Sequence, residues 1–250
     1  MRTLLAVFLG ALACAHSAAA DTPADCRTAE SQSDTAYALP HATKAIAEKH
    51  LNIFVLGAGS SSLPGPNGVA EAYPARLQAA LSEKLPGVAV RVTTDIKPRR
   101  TAMEMLPVLK STLATLKPDL VIWQTGTSDA VRNVDPESFK AVLDKGIGLA
   151  DQAGANTILM NMQYSPRTES MIALGSYAEN MRWVALQHEL PLFDRFSIMK
   201  VWSELGTFDL TSDTKKLDIA QRVHDCIGRL LGDLILEATK PDGGQAGASR

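Results

Sequence analysis

The sequence predicts an α/β protein, a three-layer α/β/α sandwich around a mostly parallel, five-stranded sheet. Short apolar runs recur along the chain, and helix-like stretches of a dozen or more residues separate them. Gly, Pro, Asn or Asp marks most junctions. Strands alternating with helices pair in parallel, and the crossover helices cover both faces of the sheet. With 46% hydrophobic residues in a chain of 250, there is material for one substantial core.

Taken in order, residues 39–50 suit a short helix. Residues 51–56, Leu-Asn-Ile-Phe-Val-Leu, form an apolar run ended by Gly57, which reads as a buried strand. A helix over about 70–85 closes at Pro86-Gly87, and residues 88–92 give the second strand. Residues 101–116 carry Met103, Leu106, Leu109 and Leu113 at spacings of three and four, a helical pattern. Residues 120–123 form a third strand, 136–153 a helix with Pro136 in its first turn, and 157–160 a fourth strand. A helix over 174–188, a short fifth strand within 190–193 and a long helix over 217–238 complete the pattern. In such sheets ligands sit beyond the carboxyl ends of the strands, so the loops after the first four strands are where chemistry is expected.

The N-terminus reads as a secretory signal. Arg2 precedes an apolar run from Leu4 to Ala13, and Ala18-Ala19-Ala20 offers a small-residue cleavage site. The run is shorter than the ~20 residues a membrane span needs. A lipoprotein anchored at Cys14 is the weaker alternative, because Ala11-Leu12-Ala13 departs from a Leu-led lipobox. The expected organisation is a signal peptide at 1–20, an N-terminal arm at 21–50, one domain at 51–239 and a disordered tail at 240–250. The expected location is secreted or periplasmic, with no stable membrane insertion after cleavage. There Cys26 and Cys226 would meet an oxidising compartment and can pair, the alternative being two free thiols. A net charge of −2 gives no electrostatic case for nucleic acid. No metal-ligand spacing or cofactor motif appears, so no cofactor is expected.

The loop after the first strand, Gly57-Ala58-Gly59-Ser60-Ser61-Ser62-Leu63, lacks the lysine of a phosphate-binding loop. A serine on a tight turn beside backbone N–H groups suits nucleophilic catalysis instead. The loop after the third strand reads Gln124-Thr125-Gly126-Thr127-Ser128-Asp129, and the fourth reads Gln163-Tyr164-Ser165-Pro166-Arg167. Together, in this order, these loops resemble the SGNH (GDSL-type) ester hydrolases over about residues 51–238. Residues 59–63, 123–129 and 163–167 are similar to that family's GSSST, WQxGTND and QYxPR blocks. The resemblance implies Ser61 as nucleophile, a glycine and an asparagine as oxyanion donors, and a histidine base in a DxxH motif.

Most of that set is missing. The loop after the second strand reads Asp95-Ile96-Lys97-Pro98-Arg99-Arg100, with no glycine and a proline that has no N–H. The asparagine position holds Ser128. Counting eight residues back from Cys226, where the resemblance implies the histidine, gives Asp218, and the preceding aspartate position becomes Lys215. His224 is the possible substitute base. If Cys226 faces the interior, however, a helix turns His224 by roughly 200° relative to it, which predicts an exposed histidine. His41, His50 and His188 read as structural or solvated.

The expected function is therefore a catalytically impaired relative of these hydrolases that binds an acylated or anionic cell-envelope carbohydrate, a small-molecule or glycan ligand. Lys97, Arg99, Arg100, Lys215 and Lys216, with Ser60, Ser62, Gln163 and Tyr164, would form its site. The competing reading makes these charges solvated or paired with Asp95, Asp129, Asp213 or Asp218. The alternative function is an active serine esterase or acyl-ester hydrolase using Ser61.

Overall fold

The structure, a computed structural model, describes Cys26 and residues 36–211 and 217–240. The expected signal peptide, residues 21–25 and 27–35 of the expected arm, the expected tail beyond Lys240, and Asp213, Lys215 and Lys216 lie outside the described residues.

Five strands, β1 (His50–Gly57), β2 (Ala89–Ile96), β3 (Leu120–Gln124), β4 (Asn156–Met160) and β5 (Leu192–Phe193), form one sheet in the order β2-β1-β3-β4-β5. Every pairing is parallel. The run that reads as strand in the sequence does so because both faces are covered. Ile53 and Val55 point to one side with Ile122, Ile158 and Met160, while Phe54 and Leu56 point to the other with Val121, Trp123 and Leu159.

On the first face pack α1 (Pro40–Ala47), α2 (Tyr73–Lys84), α8 (Arg195–Glu204) and α9 (Leu217–Ala238). On the second pack α3 (Ala102–Leu116), α5 (Pro136–Gln152) and α7 (Gly175–Gln187). Two short helices, α4 (Thr127–Val131) and α6 (Pro166–Met171), follow β3 and β4. Thr101 and Glu104 close a reciprocal capping box at the start of α3. Gly228 lets α9 lie against α2, since a Cβ there would sit 2.9 Å from the Leu77 amide and 3.0 Å from the Tyr73 carbonyl.

The predicted α/β/α sandwich is the observed fold. Besides the short helices α4 and α6, which fall in stretches read as loops, two elements differ from expectation. β2 continues to Ile96 rather than stopping at Val92, because its polar second half still pairs with Phe54–Gly57 of β1. Helix α8 was not anticipated; Asp194 caps it through the Ser197 amide, and Ile198, Met199 and Trp202 are buried at spacings of one, three and four.

A disulfide joins Cys26 to Cys226 on α9, with sulfurs 2.00 Å apart. The chain after it is anchored by the Leu39 amide to the Ala238 carbonyl and by the His41 and Ala42 amides to the Asn156 side chain. Among the described residues, no helix is long and apolar enough to cross a membrane.

Candidate functional site

Strand order reverses at β1, whose neighbours β2 and β3 leave in opposite directions. The crevice beyond the carboxyl ends of β1 and β3 is the expected ligand position. A cleft of about 320 Å³ lies there, lined by Gly59, Ser60, Pro98, Arg99, Ser128 and Gln163 among others. It therefore draws on all four loops the sequence singled out.

Ser61 does not face this cleft. Gly59–Ser61 forms one 3-10 turn, in which the Ser61 amide donates to the Ala58 carbonyl and the Ser62 amide to the Gly59 carbonyl. The turn drives Ser61 inward, where it is 0% exposed, and leaves Ser60 as this loop's serine at the cleft. The Ser61 hydroxyl donates to Gln124 Oε1 at 2.9 Å, and the Tyr73 hydroxyl lies 3.1 Å from it. With the Ser61 proton committed to Gln124, Tyr73 is the donor of that second bond. Burial pushes the Tyr73 phenol up to about 12, so it stays protonated and cannot serve as a base. Gln124 Oε1 also accepts the Ala58 amide at 3.0 Å, so a neutral amide from β3 ties the β1 loop across the crevice.

His224 corrects the helical-wheel expectation of exposure: it is 5% exposed and packs against Tyr73 at the start of α2. Helix α9 is covered over a broad arc, so both Cys226 and His224 are buried although two residues apart. The His224 Nδ1 accepts the Tyr73 backbone amide at 3.0 Å. No hydrogen bond joins His224 to Ser61 or Ser60 among the described residues. Burial, then the nearby Arg195 and Arg76 charges, pull its pKa down to about 3. The ring is neutral, its Nδ1 lone pair is occupied, and the proton sits on Nε2. It is not available as a general base.

The other expected site residues separate into groups. Ser128 lines the cleft and is half-buried, standing where the asparagine donor was expected. Asp218 is exposed in the first turn of α9 and lines neither this cleft nor the Arg195 pocket described below. Arg100 is a correction: rather than facing a ligand, it is buried, pairs with Asp95 at 2.6 Å and donates to the Gly57 carbonyl at 3.3 Å. It ties β2 to β1. Lys97 is exposed and outside the cleft lining, and the Ser62 hydroxyl turns to the Leu63 carbonyl. Arg99 does line the cleft, in a left-handed backbone conformation (φ 61°), its carbonyl held by the Arg132 guanidinium at 2.6 Å. Asp129 is buried, its pKa raised by that burial, and its carboxyl accepts the Ala102 amide at the start of α3. His188 pairs with Asp144, and His50 lies 3.7 Å from Asp119, both away from the cleft.

One residue of the site escaped sequence reasoning. Arg195, the first residue of α8, is 1% exposed and donates through Nη1 to the Ser60 carbonyl at 2.9 Å and the Ser60 hydroxyl at 3.3 Å. Its Nη2 reaches Gln163 Oε1 at 3.4 Å. It ties the first and fourth loops together. The spacing of Ile198, Met199 and Trp202 after Asp194 signals helix α8, but nothing in the sequence marks Arg195 as its buried, loop-tying residue.

The fold and the position of this cleft define an SGNH-hydrolase-like protein. Similar solved structures include TesA (23% identity, TM-score 0.57, 73% of this chain and 99% of that one). A lipase/acylhydrolase from Enterococcus faecalis follows at 21% identity and TM-score 0.55, over 72% and 96% of the two chains. A catalytic serine mutant of an acetylxylan esterase from Geobacillus stearothermophilus is 15% identical with TM-score 0.58, over 74% and 94%. Catalytic histidine and aspartate mutants of that esterase match with the same TM-score, at 15% and 14% identity. No curated protein sequence matches the chain. The model of the Non-GDSL lipase-like family matches residues 25–241, and the chain belongs to that family.

Proposed function

We propose that this protein is an exported, catalytically impaired member of its family that binds an acylated or anionic cell-envelope carbohydrate in the cleft lined by Ser60, Arg99, Ser128 and Gln163. The observation that carries the reading is the disposition of Ser61: fully buried, its proton held by Gln124, with no imidazole among the described residues bonded to it. The Ser61 and Ser62 amides are engaged inside their own turn, so they do not form an oxyanion hole. Losing the base of a serine triad costs up to ~10⁶ in rate, and losing one oxyanion donor costs ~10²–10³. Ser60 does reach the cleft, but its neighbour is a guanidinium, which cannot accept a proton.

Export is supported by the signal-like N-terminus and by the disulfide. The carbohydrate is supported by the Ser60, Arg99, Ser128 and Gln163 side chains set among the apolar surface of the cleft, and by likeness to an acetylxylan esterase. Within this reading residues 1–20 are the signal peptide, 21–50 an arm, 51–239 the domain and 240–250 a tail.

The test is hydrolysis of p-nitrophenyl acetate and acetylated xylo-oligosaccharide by the mature protein, against a Ser60→Ala/Ser61→Ala control. The expected result is the same rate for both proteins, with acetylated oligosaccharide binding detectable by calorimetry and abolished in Ser128→Trp. Serine-dependent turnover would overturn the proposal.

A further inference from the structure

A second pocket of about 210 Å³, which shares Gln163 with the cleft, lies between α8, α9 and the Gln163–Ser165 loop. Its defining feature is the charge of Arg195. A guanidinium removed from water is costly and is ordinarily matched by a carboxylate. Arg195 has none: among the described residues its partners are a carbonyl, a hydroxyl and an amide oxygen, and its Nε has no partner. The Tyr73 ring, 5.9 Å from its Cζ, supplies only a cation–π contact. The neighbouring Asp194 is already taken by Arg182 at 2.8 Å and by Asn161 at 2.6 Å. Burial pulls the Arg195 pKa down to about 10, which still leaves it charged at neutral pH.

The remaining walls suit a partly polar guest. His224 lines the pocket, and since its Nδ1 is occupied its Nε2 is a hydrogen-bond donor there. Ser165 adds a hydroxyl, while Met199, Leu210 and Ile219 supply apolar surface. The one carboxylate among the lining residues, Asp209, bonds the Thr211 amide at 3.1 Å and its hydroxyl at 2.5 Å.

We propose that this pocket is an anion-binding site, taking the carboxylate or phosphate of a small polyol such as a sugar acid or sugar phosphate, with Arg195 as counter-charge and His224 Nε2–H as second donor. Asp209 accepts hydroxyls of the same ligand at the rim. The site is distinct from the cleft above, so its failure would leave the reading of Ser61 untouched.

The experiment uses ¹⁵N-labelled mature protein titrated with glucuronate, glucose 6-phosphate and neutral glucose. Calorimetry gives affinities, and the arginine Nε–H and histidine Nε2–H resonances report the place of binding. Glucuronate or glucose 6-phosphate should shift the Arg195 and His224 signals, and the preferred anion distinguishes a carboxylate site from a phosphate site. Glucose should bind at least tenfold more weakly than that anion, as expected for loss of a charge-assisted contact worth about 1.5–3 kcal/mol. Arg195→Gln should lose the preference. Ile219→Trp, which fills the pocket while leaving Arg195 in place, should lose binding even if Arg195→Gln fails to fold, whereas Ser128→Trp, in the other cleft, should retain it. Equal affinity for glucose and the anions, unmoved Arg195 and His224 resonances, or binding that survives Ile219→Trp would overturn the proposal.

Discussion

His224 makes the stability of this protein acid-sensitive in a way that can be isolated. The folded imidazole takes a proton only near pH 3, because burial and two arginines oppose the charge. The unfolded chain takes it near ~6.5. As pH falls through that value, the unfolded state gains a proton that the folded state refuses. Stability therefore declines by about 1.4 kcal/mol per pH unit, and the loss continues until the pH reaches the folded pKa. Between pH 6.5 and 4.5 the loss is roughly 2–3 kcal/mol, a large part of a typical 5–15 kcal/mol total. The comparison is His224→Asn, whose side-chain oxygen can still accept the Tyr73 amide but does not titrate. Urea unfolding of both proteins, disulfide intact, at half-unit steps across this window gives the difference directly. Glu104 and Glu169, whose carboxyl pKa values are lowered by hydrogen bonds to the Thr101 amide and to Lys200, also lose stabilisation toward low pH. They are common to both proteins and cancel. The wild type should lose the predicted stability relative to the variant as pH falls; parallel curves would refute the assignment of a buried neutral imidazole.

Two further perturbations probe the same region. Gln124→Leu leaves the Ala58 amide and the Ser61 hydroxyl without their shared acceptor, and should cost about 2–6 kcal/mol in urea unfolding at pH 7, at roughly 1–3 kcal/mol per orphaned buried group. Replacing Cys26 and Cys226 together by serine opens a link between residues 200 apart in sequence. It should lower stability by on the order of 4–5 kcal/mol, read as a drop in Tm that reducing agent reproduces in the wild type.

The sheet was legible in the sequence because four of its strands are apolar on both faces, so each appears as an uninterrupted run. The half of β2 that was missed, Thr93 to Ile96, lies at the sheet edge, where partial solvent contact permits polar residues. The site was legible by loop and illegible by side chain. Which of three consecutive serines faces the cleft depends on a single 3-10 turn, and no pattern in Gly-Ser-Ser-Ser encodes that. The burial of His224 escaped because wheel arguments assume one narrow buried stripe. Helix α9 instead packs against α2 through Gly228 and is linked to Cys26 through Cys226, and its buried arc includes His224. Arg195 stayed hidden because its importance lies in what it lacks, a carboxylate, which only three-dimensional neighbours reveal.

The central claim is that no serine of this cleft is activated. The most direct measurement is intact-mass analysis of the mature protein after incubation with a fluorophosphonate, which phosphonylates a serine only when a base and an oxyanion hole assist it. The wild type should remain unmodified over times that saturate an active serine esterase run in parallel. Stoichiometric labelling that maps to Ser60, Ser61 or Ser128 and vanishes in the corresponding alanine variant would contradict the account.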